Sequence, residues 1–67
     1  MSKSSLDRLI YMANQIAANQ SQTDDPAAAT AKHISLYWDP RMKAMIGAYR
    51  GTELSPVAAM AVAHLSA

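Results

Sequence analysis

Three times in this chain a residue that can cap a helix stands directly before a proline: Asp25-Pro26, Asp39-Pro40 and Ser55-Pro56. Proline's fixed φ suits the first position of a helix, and its missing N–H is one that a helix start leaves unbonded anyway. The Asp or Ser ahead of it accepts a hydrogen bond from a free N–H of the first turn. Proline also disfavours helical geometry in the residue before it, so each pair ends one segment and starts the next helix. Helices are therefore expected to begin at residues 26, 40 and 56. At the N-terminus Ser4 or Ser5 can cap a further helix, and Ser4-x-x-Asp7 is a capping-box variant with Asp in place of Glu.

The apolar spacing fills in between these starts. Leu6, Leu9, Ile10, Met12, Ala13, Ile16 and Ala17 share one arc at a helical repeat, with Arg8, Tyr11, Asn14 and Gln15 on the opposite arc. Gln20 to Asp25 has no periodicity and reads as an exposed loop. Ala27, Ala31, Ile34 and Trp38 form the stripe of the second helix, Leu36 points away from it, and His33 and Tyr37 share a flank at i, i+4. A helix that is apolar on more than one side is usually buried on more than one side. Met42, Met45, Ile46 and Tyr49 form the inner face of the third helix, with Arg41, Lys43 and Arg50 as its margins and Gly51 as its C′ residue. Val57, Met60, Ala61, His64 and Leu65 align on the fourth, with Leu54 as a staple ahead of it.

Nothing alternates as a strand does. The expected fold is all-α, a small bundle of three to four short helices over about 5–19, 26–38, 40–50 and 56–65. It makes one domain over 1–67, with flexible ends at 1–4 and 66–67. At 67 residues such a domain buries only about 60% of its unfolded surface. Much of the 51% hydrophobic content is alanine, Phe is absent, and no Cys is present to add a disulfide or thiolate site. A lone monomer should be marginal, and a partner is expected to complete the core. The net charge of +1 argues against a strongly basic nucleic-acid surface. Neither a signal peptide nor a membrane span is legible, which points to the cytoplasm.

Candidate chemistry is sparse. His33 and His64 could share a metal with Asp39 or Glu53, but neither has the i, i+4 companion of an H-E-x-x-H site, and both read as structural. The serines lie at helix starts, where capping explains them, and no catalytic set or phosphate-binding glycine loop is present. No catalytic, cofactor-binding or metal-binding residue is therefore assigned. Arg41, Lys43 and Arg50 beside Tyr37, Trp38 and Tyr49 form either a solvated margin next to core aromatics, a docking site for a partner, or a nucleic-acid patch. Tyr11 beside Asn14 and Gln15 suits a protein interface. Rival readings are a helical regulator or nucleic-acid-binding module, a self-assembling homo-oligomer and, least of all, a small enzyme.

The segments Leu9-Ile10-Tyr11-Met12-Ala13-Asn14-Gln15-Ile16-Ala17, His33-Ile34 and Tyr37-Trp38-Asp39-Pro40-Arg41-Met42 together resemble the delta subunit of soluble NAD-dependent formate dehydrogenases. The resemblance covers about residues 6 to 46 and finds no motif beyond Gly51. Tyr37 stands where Phe is common and Lys43 where Arg is common; Lys lacks the planar fork of Arg. The resemblance implies a non-catalytic accessory subunit docked directly on the alpha subunit, with beta and gamma subunits in the same complex. That complex would carry a molybdenum or tungsten bis-pterin guanine dinucleotide, iron–sulfur clusters, FMN and NAD, none bound by this chain. Clusters need thiolates, which it lacks. The candidate partner interface comprises Tyr11, Asn14, Gln15, His33, Tyr37, Trp38, Asp39, Arg41 and Met42. Within it Trp38, Tyr37, Tyr11 and Arg41 are the expected anchors.

Overall fold

The computed structural model describes residues 4–66, and in them the chain forms α1 (Ser5–Asn19), α2 (Pro26–Tyr37), α3 (Pro40–Ala48) and α4 (Pro56–Ser66). Among the described residues there is no strand. Every helix starts at one of the expected caps. Ser4 Oγ accepts from the Asp7 N–H at 3.1 Å, and Asp7 Oδ2 accepts from the Ser4 N–H at 3.3 Å, which completes the capping box. Asp25 Oδ1 takes the Ala28 N–H at 3.2 Å, Asp39 Oδ1 the Met42 N–H at 2.8 Å, and Ser55 Oγ the Ala58 N–H at 3.2 Å. The expected flexible ends, 1–4 and 66–67, fall largely outside the described residues; within them Ser4 is the cap of α1.

The helix ends differ from expectation. α3 stops at Ala48, because Tyr49 turns to extended geometry (φ −67°, ψ 133°). Its phenol oxygen then accepts the Glu53 N–H at 3.0 Å. Gly51 has no positive φ, so it is not a left-handed C′ residue. Its lack of a side chain provides space instead: a β-carbon there would fall 2.5 Å from Tyr49 Cζ and 2.8 Å from Cε1. Arg50 meets the negative end of α3, donating from Nη1 to the Gly47 and Tyr49 carbonyls at 2.7 and 3.0 Å. α2 ends at Tyr37, one residue short of Trp38.

Leu9, Ile10, Ala13 and Ala17 of α1 meet Ile34 and Trp38, Ile46 of α3, and Ala58 and Val62 of α4 in one core. The stripe Ala27, Ala31, Ile34 and Trp38 is buried as expected. Two others are corrected. Met12 is 39% exposed, at the edge of its arc rather than inside it. In α4 the buried face is Ala58, Ala61 and Val62, whereas Met60 and His64 point outward. α4 is apolar nearly all round, so periodicity could not select its face; close approach did. It touches all three other helices, α2 most extensively, and small residues let it sit near them. The radius of gyration is 11.0 Å, against about 11 Å expected for a globule of this length. Thr30 is fully buried, and its Oγ1 has no hydrogen-bond partner.

Candidate partner-binding surface

The corner between α2 and α3 is set by three consecutive backbone choices. Trp38 leaves the helix in extended geometry while its N–H still donates to the Ile34 carbonyl at 2.9 Å. Asp39 is extended too, with its side chain capping α3 and its carbonyl accepting the Lys43 N–H at 3.0 Å. Pro40 then starts α3. This bend drives the Trp38 ring into the core, where it is 5% exposed, with Met42 half-buried against the same cluster. The residue just before it is pushed out. Tyr37 is 73% exposed and Leu36 67%. The Tyr37 ring leans on His33, with ring centroids 4.7 Å apart and planes at 42°. Lys43 Nζ reaches back to the Ser35 carbonyl at 3.3 Å, near the negative end of α2, and Arg41 is exposed beside the corner.

On α1, Tyr11 is 58% exposed, and its hydroxyl accepts from Gln15 Nε2 at 2.8 Å, one helical turn away. Asn14 is engaged within the chain instead. Its Nδ2 donates to the Glu53 carbonyl at 2.9 Å, and its Oδ1 accepts the Ser55 N–H at 2.8 Å. One amide thus ties the middle of α1 to the residue that caps α4. Among the described residues no group of three or more His, Cys, Asp or Glu is placed to hold a metal ion.

The sequence model of the NADH-dependent formate dehydrogenase delta subunit, FdsD, matches residues 8–62 of the 67. The chain belongs to this family. No curated protein and no solved structure matches it. The match runs past residue 46, where the motif resemblance ended. It takes in the end of α3, the loop tied by Asn14 and much of α4, so the last helix is part of the FdsD pattern. The family is one subunit of an NAD-dependent complex, which implies NAD for that complex and association with its other subunits. Among the described residues of this delta subunit, no helix is long and apolar enough to cross a membrane.

The residues that carry the family resemblance divide by position. Tyr11, Gln15, Tyr37 and Arg41 lie on the surface, and His33 is half-buried beneath Tyr37. Trp38 and Met42 pack on the core, while Asn14 and Asp39 make their hydrogen bonds within the chain. Sequence alone does not single out Leu36 as an interface residue, although it lies off the buried stripe of α2. Its exposure beside Tyr37 makes it part of the same outward patch.

Proposed function

We propose that this chain is a non-catalytic delta subunit that docks on the large, molybdopterin-bearing alpha subunit of a cytoplasmic NAD-dependent formate dehydrogenase. Docking supports the assembly, stability or cofactor retention of that subunit. The observation that carries the reading is the end of α2, where Leu36 and Tyr37 are exposed to water, the Tyr37 ring against His33, with the exposed Arg41 just beyond the Asp39-Pro40 corner. Tyr and Arg are the residue types that dominate binding energy at interfaces, and a neighbouring leucine adds apolar area. Covering such area contributes about 25 cal/mol per Å² before the ordering and desolvation costs of association are subtracted. Tyr11 with Gln15 forms a further contact on α1.

Trp38, Asp39, Met42 and Asn14 act from behind. They fix the corner and the bundle, so that little ordering is left to occur on binding. In this reading the molybdenum or tungsten pterin, the iron–sulfur clusters, FMN and NAD are held by the alpha, beta and gamma subunits. The delta subunit contributes a surface.

Co-purification with tagged chain tests this, reading alpha subunit and bound metal together. The Leu36→Ala/Tyr37→Ala pair should weaken capture of the alpha subunit about 30-fold, the equivalent of about 2 kcal/mol, with an unchanged melting temperature. Capture at wild-type strength by that pair would refute the α2 end as the docking site. Deleting the chain and assaying metal content with activity separates cofactor retention from scaffolding.

A further inference from the structure

α4 carries no Asp, Glu, Lys or Arg, and its outward side bears Ala59, Met60 and Ala63, with Met60 59% exposed and His64 in the last turn as its one basic residue. A helix that is apolar on nearly every side is ordinarily covered on more than one side. Beside it runs a groove between α3 and α4, formed by two hollows of about 420 and about 490 Å³ that share Gly47. Its walls include Ala44 and Gly47 of α3 and Ala59 and Ala63 of α4, small enough for another helix backbone to come close. The charged residues that line it are both cations, Lys43 at one end and Arg50 at the other. Their hydrogen bonds go to backbone carbonyls, Ser35 for Lys43 and Gly47 and Tyr49 for Arg50. These contacts hold the two side chains at the rim, and an ammonium or guanidinium has further donors to offer.

We propose that the α3–α4 groove seats an amphipathic helix of another protein, with its apolar side against Ala44, Gly47, Ala59 and Ala63 and carboxylates facing Lys43 and Arg50. Charge complementarity selects the occupant. A second copy of this chain does not supply it: the only carboxylate in its described helices is Asp7, which is engaged in the α1 capping box. The proposal rests on the subunit role above, the helix belonging to a neighbouring subunit of the same complex. The groove begins at Ser35 and Pro40, next to the Leu36–Tyr37 patch, so one partner face can cover both.

The test titrates labelled full-length chain into formate dehydrogenase complex depleted of its delta subunit. Ala44→Leu and Ala63→Leu fill the groove from exposed helical positions, where Leu is a good helix former. Each should weaken binding at least tenfold. The Lys43→Glu/Arg50→Glu pair should do the same and abolish the fall in affinity with rising salt. The Lys43→Gln/Arg50→Gln pair, which removes both charges while keeping a donor for the Ser35 and Gly47 carbonyls, should also flatten the salt dependence, and it decides the matter should a leucine or the reversal disturb the fold. Wild-type binding by all these variants overturns the groove while leaving the subunit role intact. If the unaltered chain fails to bind the depleted complex, both fall.

Discussion

Asn14→Ala isolates the tie between α1 and the start of α4. The side chain makes two hydrogen bonds to residues 39 and 41 positions away, Nδ2 to the Glu53 carbonyl and the Ser55 N–H to Oδ1. The Glu53 carbonyl is exposed, so water replaces the lost donor and the net cost is about 0.5–1 kcal/mol. The Ser55 N–H is part-buried, and stripping its acceptor costs about 1–3 kcal/mol. Together these give about 1.5–4 kcal/mol, which at about 4–8 °C per kcal/mol for a domain this small lowers the melting temperature by about 6–30 °C. Asn14→Asp keeps an acceptor for Ser55 and loses the donor to Glu53, so it should lie between, at a cost of about 1 kcal/mol. Thermal melts followed by far-ultraviolet circular dichroism rank the three proteins. Hydrogen exchange should show the Ser55 amide losing protection in the Ala variant. An Ala variant that melts within about 2 °C of wild type would show that loop 53–55 is held without this side chain, and the argument would be wrong.

Trp38→Ala should destabilise the isolated chain by about 3–5 kcal/mol, since its ring is packed in the chain's own core; a melting temperature that moves only in the complex would place the ring in the interface instead. Thr30→Val should raise stability by about 1 kcal/mol in urea titration, because it removes a fully buried hydroxyl that has no partner; a loss of stability would reveal a hydrogen bond there. Gly51→Ala should cost about 1–3 kcal/mol, as the added methyl meets the Tyr49 ring and threatens its bond to the Glu53 N–H; an unshifted urea midpoint would mean that the ring moves aside freely.

The amino-acid sequence by itself determined the fold class and all four helix starts. A capping bond spans three residues, and a proline acts on its immediate neighbour, so both are local facts that no packing arrangement has to supply. The buried stripe of α2 was equally legible, because its apolar residues recur at a helical spacing. Tertiary structure decided the rest. α3 ends at Ala48 because the Tyr49 ring finds its place over Gly51 and its hydroxyl meets the Glu53 N–H. In α4 the alternation is too weak to mark a face, and contact with the other helices chose Ala58, Ala61 and Val62 for the inside. Asn14 lies on the polar arc of α1 in the sequence, yet its partners come from a loop some forty residues on. The Asp39-Pro40 bend turned Trp38 inward and left Leu36 and Tyr37 in water, a sorting that depends on where the core lies and not on which residues are the largest.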